Sequence, residues 1–405
     1  MNRLHLGIDY GTSASKLVLR HFEAAGGERA YLLEPNDRFR IPSAVSFDGE
    51  TIRLNSDLQD ALKSIKMRFA GDVTGSLRQH FYGELKNLPD RFSSGDLVTL
   101  TVWRLLSIGH LHAVKIVGSL EFKMGMSLGI PMSFLEDKVL RESYLYVARV
   151  AYHMYTNYGP IGSDTVGLTT ARELLDEAYF AVGKKPPVPE ANVRNWLRSE
   201  TEASMFWSFR SPATPSSTYF CIDVGAGTTD SCAFLIKDEH IDGQWVKDSI
   251  VFFGAHSHPF AMDALSKREK EEGCQQIRNG LVHAAQKAYG RISGNHVSVN
   301  QWSDPKLIIL GGGAFDVDLC KAMIPHPMTN FRETSLERLD LTVPSDLVRT
   351  DGSSARPEDI VFTSVAYGLA QISQAVPAAE RRNQVQKVKN HATGSLPNHD
   401  EIYGD

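Results

Sequence analysis

Two stretches of this chain follow one pattern: Gly7–Leu19 reads GIDYGTSASKLVL, and Cys221–Leu235 reads CIDVGAGTTDSCAFL. In each, an apolar run leads to an aspartate, one further residue and a glycine, followed by small or hydroxylated residues and a second apolar run. This pattern predicts a β-hairpin with a tight polar turn in each place. The aspartates are Asp9 and Asp223. Each hairpin opens one half of the chain, so the repeat predicts two halves of related architecture.

A turn of this composition can bind phosphate, because glycine lets backbone N–H groups approach an anion closely. A carboxylate beside a phosphate is unfavourable unless a divalent cation lies between them. Mg²⁺ is usually held by one or two carboxylates, waters and substrate phosphates. The two hairpins therefore predict a clamp on a Mg-nucleotide. The residues predicted to surround the phosphates and the metal are Asp9, Gly11, Thr12, Ser13, Asp223, Gly225, Ala226, Gly227 and Thr228.

A third element lies between Pro305 and Phe315, where PKLIILGGGAF predicts a buried strand that runs into three glycines. Gly311, Gly312 and Gly313 would offer bare backbone against which a nucleoside can lie. Each of the three elements is weak by itself, since Asp-x-Gly turns and strand–glycine turns are common. Their occurrence together, in this order, favours a nucleotide site between two α/β lobes.

Composition sets further bounds. The chain has 405 residues, 42% hydrophobic and 22% charged, which is typical of a soluble globular protein of two or three domains. Its net charge of −5 argues against sequence-independent nucleic-acid binding. We expect no apolar run near the length of a membrane span and no secretory leader. The cysteines fit no zinc pattern and are expected to be buried free thiols in a reducing compartment such as the cytoplasm.

The segment RSPATPSST, Arg210–Thr218, reads as a linker. We therefore divide the chain into lobe I over residues 1–215, lobe II over residues 216–375 and a disordered tail over residues 376–405. The histidines of AHSHPF, Ala255–Phe260, are too few for a metal site, and this stretch is expected to be a loop. Helices are predicted over residues 57–69, about 94–115, 136–155, 170–182, 191–209, 262–290 and 359–375.

The three elements in this order resemble the actin-like ATPase superfamily, which includes actin, the seventy-kilodalton heat-shock chaperones and sugar kinases. The likeness to the chaperone ATPase domain is closest, and four further stretches carry it over most of residues 4–375. They are IPSAVSF at Ile41–Phe47, SIKMRFAG at Ser64–Gly71, ETEAS at Glu200–Ser204 and SVAYGLA at Ser364–Ala370. The resemblance implies a two-lobed, ribonuclease H-like α/β fold, with duplicated mixed sheets, flanking helices and ATP in the cleft between the lobes.

The resemblance also implies roles for single residues. Asp9 and Asp223 would orient Mg²⁺, Lys66 would neutralise charge on the γ-phosphate, and Glu200 would hold the attacking water. A surface-charge reading stays open for Glu200, and Lys63 or Arg68 could serve in place of Lys66. The implied activity is slow, Mg-dependent ATP hydrolysis that works as a conformational switch.

The chain departs from the chaperone pattern in three ways. Phe315 stands where the family has an arginine that packs on adenine, so Phe315 either stacks on the base or lies in the core. The segment between the second hairpin and the glycine turn is short. No peptide-binding domain follows the ATPase region, which removes the part with which the chaperones hold unfolded clients.

Three functions are therefore weighed. The first is an ATPase switch that acts through a protein partner of unknown identity. The second is a filament-forming actin-like ATPase that assembles with itself. The third is a small-molecule kinase of the same fold, for which no acceptor carboxylate is recognised. A protein that only binds nucleotide also remains open, although the set of Asp9, Glu200 and Asp223 speaks against it.

Overall fold

The computed structural model describes residues 2–24, 27–35, 38–75, 92–207, 217–225, 228–241, 244–258, 271–279, 306–315, 337–338, 341–371 and 387–389. In chain order its strands are β1 (Asn2–Asp9), β2 (Ala14–His21), β3 (Arg29–Leu32), β4 (Ile41–Pro42), β5 (Val45–Asp48), β6 (Thr51–Leu54), β7 (Phe122–Ile130), β8 (Thr165–Gly167), β9 (Leu197–Ser199), β10 (Thr218–Val224), β11 (Thr229–Ile241), β12 (Gln244–His258), β13 (Lys306–Leu310), β14 (Glu337–Arg338), β15 (Leu347–Arg349) and β16 (Lys387–Lys389).

The helices alternate with these strands, so the fold is mixed α/β. They are α1 (Ile65–Thr74), α2 (Ser94–Val117), α3 (Met132–Glu136), α4 (Lys138–Tyr158), α5 (Leu168–Gly183), α6 (Glu190–Trp196), α7 (Glu200–Ala203), α8 (271–279) and α9 (Pro357–Leu369).

Two large sheets repeat one arrangement. In the first, the strands run in the order β15-β3-β2-β1-β7-β9, and in the second β14-β13-β10-β11-β12-β16. In each, a central hairpin strand is followed on one side by two strands joined through successive antiparallel pairings. On its other side two strands follow through successive parallel pairings. In both sheets the centre is the first strand of an Asp-x-Gly hairpin, β1 or β10. The repeat predicted from the sequence is therefore present as a duplicated strand order.

Helix α2 forms the core behind the first sheet. Ser93 caps it, with its side chain accepting from the Asp96 backbone N–H while Asp96 accepts from the Ser93 N–H. The cap ends the preceding loop and fixes where the helix begins. By length and mean hydropathy (1.3) α2 could cross a membrane, so the expectation that no apolar run reaches that length is wrong. Of its most apolar window, 78% is buried, as in the core helix of a soluble protein.

Residues 347–369 return from the second half of the chain to the first sheet. Strand β15 pairs in parallel with β3, and α9 packs against β1. The approach of α9 is very close, since a Cβ on Gly7 of β1 would lie 2.1 Å from the Ala366 carbonyl oxygen. Strands of the first sheet therefore precede residue 215 and strands of the second sheet follow it, except that β15 follows residue 215 and belongs to the first sheet.

A buried ion network fastens this returning segment. The Arg20 guanidinium on β2, which is fully buried, donates to Glu28 at 2.6 Å and to Asp346 at 2.7 Å. It lies over the ring of Tyr367 on α9, whose hydroxyl also donates to Asp346. Burial alone would lower the pKa of Arg20, but these partners together hold it above its ordinary value. The network joins β2, the segment before β15 and α9.

Three helix predictions are wrong in their bounds, and one of them, predicted over residues 359–375, ends at Leu369. The helix predicted over residues 57–69 begins only at Ile65, and Leu58, predicted on its apolar face, is exposed. The helix predicted over residues 191–209 is interrupted by β9. Leu197, Arg198 and Ser199 are buried there because they pair with β7 at the edge of the first sheet. Tertiary pairing overrides the local helical pattern in this segment.

Two further predictions concern the second sheet. Ala255–His258 lie in β12 and not in a loop, because the long β11 strand pairs with β12 as far as His258. Within the predicted disordered tail, Lys387–Lys389 pair with β12 as β16. Lysines around one β-branched valine are typical of an edge strand. The remainder of residues 376–405 lies outside the described part, as do residues 262–270 and 280–290 of the helix predicted over 262–290. Cys221, Cys232 and Cys274 are buried free thiols as predicted, and Cys320 lies outside the described part.

Candidate functional site

The first hairpin turn carries a buried ion pair. Asp9 ends β1, and the antiparallel register places it opposite Lys16 on β2. The Lys16 ammonium donates to Asp9 Oδ2 at 2.9 Å, and only 7% of the Asp9 side chain is exposed. Between them Gly11, Thr12 and Ser13 form the turn, where the Gly11 N–H donates to the Asp9 carbonyl. Sequence reasoning missed Lys16, because a lysine in a hairpin normally reads as solvated.

The second hairpin has the same strand register around its aspartate, with a different residue opposite it. Asp223 lies opposite Asp230, the position that Lys16 occupies in the first hairpin. The Gly225 N–H donates to the Thr228 carbonyl at 2.9 Å and closes the turn. Ala226 and Gly227, both predicted to contact phosphate, lie outside the described residues. One turn thus presents an aspartate–lysine pair and the other two aspartates, a difference visible when the two sequence motifs are aligned on their aspartates.

A second buried ion pair joins α1 to α7. The Lys66 ammonium donates to the Glu200 carboxylate, and their side chains are 3% and 11% exposed. The Lys66 carbonyl accepts from Tyr144, which anchors that residue to α4. Lys63 is exposed, so Lys66 is the lysine of this helix that meets Glu200. The surface-charge reading of Glu200 is wrong.

These groups form one electrostatic cluster. Burial first, then the negative charges of Asp230 and Asp9, raise the pKa of Asp223 to about 8 against the effect of Lys16. Burial raises the pKa of Glu200, Lys66 counteracts part of this rise, and Asp9 adds to it. Burial alone would lower the pKa of Lys16, but Asp9, Asp223 and Glu200 together raise it. Charges from both hairpins and from α7 therefore act on one another in a buried space.

The cluster contains more acid than base. Four carboxylates, on Asp9, Glu200, Asp223 and Asp230, face two ammonium groups. Among the described residues, no group of three or more His, Cys, Asp or Glu side chains is arranged to hold a metal by itself. Mg²⁺ needs only one or two protein carboxylates when waters and phosphates complete its shell. The excess of carboxylates around Asp223 is the environment that a divalent cation would neutralise, so the residues fit Mg²⁺.

The glycine turn after β13 lies against this cluster. Gly311 has a φ of +79°, and a Cβ on it would lie 2.5 Å from Asp223 Oδ1. Both facts require glycine there. The Gly311 N–H donates to the Val361 carbonyl, and Gly312–Phe315 continue as a 3-10 turn. Gly312 faces the ring of Phe362 on α9. The side chain of Phe315, predicted to stack on a base or to lie in the core, is outside the described part of the structure, so that prediction stays open.

Glu200 owes its position to close packing behind it. A Cβ on Gly368 of α9 would lie 1.8 Å from the Ala203 carbonyl oxygen at the end of α7. A Cβ on Gly129 would lie 3.2 Å from Glu200 Cγ. Ser199 caps α7 by accepting from the Glu202 N–H. Because Gly129 and Gly368 have no side chains, α7 can pack closely between β7 and α9. In this position Glu200 reaches Lys66.

The structure thus brings together Asp9, Lys66, Glu200, Asp223 and the glycine turn, which were all predicted, and adds Lys16 and Asp230. No protein-family model matches this chain, and no curated protein matches its sequence.

Proposed function

We propose that this chain is a slow, Mg-dependent ATPase of the actin-like superfamily, closest to the ATPase domains of the seventy-kilodalton heat-shock chaperones. It would act as a conformational switch on a protein partner in the cytoplasm. The observation that carries the proposal is the meeting of two equivalent Asp-x-Gly hairpins, from two sheets of equal strand order, around Lys16, Lys66 and Glu200. A single nucleotide held by both hairpins would couple the two sheets as lobes.

The turns would receive the phosphates. Gly11, Thr12 and Ser13 on one side, with Gly225 to Thr228 on the other, would direct backbone N–H and hydroxyl donors at the β- and γ-phosphate oxygens. Asp9 and Asp223 would hold Mg²⁺ through its waters, which supplies neutralisation of phosphate charge. Lys16, already held by Asp9, would place its ammonium group at the phosphates from the first turn. Phosphoryl transfer depends on such positioning and electrostatics more than on covalent help.

Lys66 and Glu200 would exchange partners when the nucleotide enters. Lys66 is paired with Glu200 in the structure. The γ-phosphate offers Lys66 a stronger partner, which frees the carboxylate to accept a hydrogen bond from a water. The raised pKa of Glu200 makes it a better proton acceptor than an ordinary glutamate. Its position near the phosphate would aim that water at the γ-phosphorus.

The test is Mg-dependent phosphate release by the purified chain. We expect slow turnover that Asp9→Asn and Asp223→Asn each reduce sharply, since each removes one carboxylate that orients the metal. Asp176→Asn, which changes a carboxylate exposed to 65% on α5, is the matched control and should turn over at the wild-type rate. Wild-type rates in both site variants would refute the site, and phosphate transfer to a sugar in place of water would favour the kinase alternative.

A further inference from the structure

The last turn of α5 and the loop after it expose aromatic side chains and lysines. Phe180 is 67% exposed, and Tyr146 on the neighbouring helix α4 is 38% exposed. The Lys184 ammonium lies over the Phe180 ring, 3.8 Å from its centre. The Tyr146 hydroxyl donates to the carbonyl of Tyr179, the residue before Phe180. We call this region the Phe180 surface; it consists of Tyr146, Phe180, Lys184, Lys185 and Pro186.

Helix α4 holds the Phe180 surface in one conformation. The Tyr146 ring stacks on the Tyr179 ring, with their centres 5.8 Å apart and their planes 13° from parallel. Arg149 donates to the Pro186 carbonyl at 3.0 Å and so ties the loop after α5 to α4. Pro186 and Pro187 further restrict that loop, because proline fixes the backbone angle φ. A surface ordered in advance loses little conformational entropy when a partner binds.

The charge of the Phe180 surface is opposite to that of the whole chain. The chain has a net charge of −5, whereas Lys184, Lys185 and the adjacent Arg149 bring three positive charges here. In the part of the chain that the structure describes, neither lysine forms an ion pair with a carboxylate. The flanking acids have other partners, since Glu177 accepts from a tyrosine and Glu190 pairs with an arginine of α4. The surface therefore offers apolar rings beside unpaired positive charge.

We propose that the Phe180 surface binds an acidic segment of a protein partner. An apolar or aromatic side chain of that segment would pack on Phe180, and its carboxylates would pair with Lys184 and Lys185. Aromatic side chains are enriched at protein interfaces, where a few of them supply most of the binding energy. Opposite charge directs the approach of the partner and its register. The role of this surface in a switch rests on the proposed function, although the surface is argued from α4 and α5 alone.

Helix α4 also links the Phe180 surface to the candidate site. Tyr144, two residues before Tyr146, donates to the Lys66 carbonyl at 2.7 Å. A partner bound at the Phe180 surface would therefore contact the helix that anchors one member of the Lys66–Glu200 pair.

The experiment is fluorescence anisotropy of labelled peptides titrated with the full chain in the absence of nucleotide. The probe is the acidic peptide EEFEELFEE, with EESEESSEE and KKFKKLFKK as control peptides. We expect both controls to bind at least about tenfold more weakly than the probe. Phe180→Ala should weaken binding of the probe about 5- to 30-fold. Lys184→Glu and Lys185→Glu should each weaken it about 3- to 10-fold at low salt and less at high salt.

Matched control variants test whether the effect belongs to this surface. Leu120→Ala and Lys115→Glu change an exposed leucine and an exposed lysine near the C-terminal end of α2, and should bind the probe as the wild type does. All these variants should fold normally, because the altered side chains are exposed. Equal binding of the three peptides, absence of binding, or wild-type affinity in Phe180→Ala would refute the proposal.

Two further measurements separate the proposal from its alternatives. If a single-stranded oligothymidine binds as tightly as the probe and with the same dependence on Phe180, the ligand is a nucleic acid and the protein partner is wrong. Mg-dependent phosphate release is measured on the same samples. Turnover without peptide binding would refute the Phe180 surface and leave the proposed function standing, and peptide binding without turnover would do the reverse.

Discussion

At the scale of single residues, the Lys66–Glu200 ion pair joins two residues that lie 134 positions apart in sequence. The fold brings Lys66 of α1 and Glu200 of α7 together as a buried ion pair. Neither charge would be stable in such burial alone, since desolvation of an unpaired ion is costly. In the proposed cycle Lys66 and Glu200 neutralise each other until a bound triphosphate separates them.

The role of Glu200 is testable by Glu200→Gln. The amide fills the same space but holds and deprotonates a water less well, so nucleotide affinity should persist while hydrolysis slows by about one to two orders of magnitude. Single-turnover phosphate release and Mg-ATP titration measure the two separately. Lys66→Ala should also slow release, whereas the exposed Lys63→Ala should not. An unchanged rate in Glu200→Gln would remove Glu200 from the mechanism.

The raised pKa of Asp223 predicts that the stability of the protein, measured without added nucleotide, depends on pH. The Asp223 pKa is about 8 in the folded protein, against an ordinary value of 3.8. Between these values the folded state binds more protons than the unfolded state, so stability falls as pH rises toward 8. Thermal melts from pH 5.5 to 8.5 should show this decline in wild-type protein and a flatter one in Asp223→Asn. Parallel pH profiles for the two proteins would contradict the assignment.

At the scale of elements, the glycine contacts and buried charges fix where α7 and α9 lie. Asp346 is the group on which this depends most, because it accepts from both Arg20 and Tyr367. Asp346→Ala should cost about 1–3 kcal/mol of stability, because the buried Arg20 and Tyr367 each lose an acceptor while Glu28 still pairs with Arg20. Glu142→Ala, which breaks an exposed pair with Lys138, should cost about 0.5 kcal/mol or less. Thermal denaturation compares the stability of the two variants. Equal melting temperatures would mean that the network around Arg20 does not contribute this stability.

The sequence predicted the elements that have strong local signals. Both hairpins follow from their alternation and turn chemistry, and α2 follows from its cap and long apolar run. Strand β9 could not be predicted, because three buried residues show no period of their own and the strand exists only through β7. Lys16 and Asp230 were missed for a related reason. These two residues become candidates for the site because the strand register places them opposite Asp9 and Asp223. That correspondence is recognised only when the two hairpins are compared with each other.

At the scale of the whole molecule, the question is what closure of the two sheets on a nucleotide would drive. We expect an ATPase that acts as a switch on a protein partner to keep the same oligomeric state with and without nucleotide. Sedimentation velocity of the chain alone, with and without Mg-ATP, should therefore give one species of unchanged mass. Pelleted polymer that forms only with Mg-ATP would instead favour the filament alternative. The assay is best run on the sample used for phosphate release, so that assembly and turnover are compared directly.

The return of β15 and α9 to the first sheet constrains synthesis of the protein on the ribosome. Strands β1, β2 and β3 emerge early, but the partner of β3 and the helix that covers Gly7 lie at residues 347–369. Until nearly the whole chain has been translated, β3 has an open edge and β1 an uncovered face. Such edges pair readily with other chains. The nascent N-terminal half therefore needs protection during translation until β15 and α9 have been made and complete the first sheet.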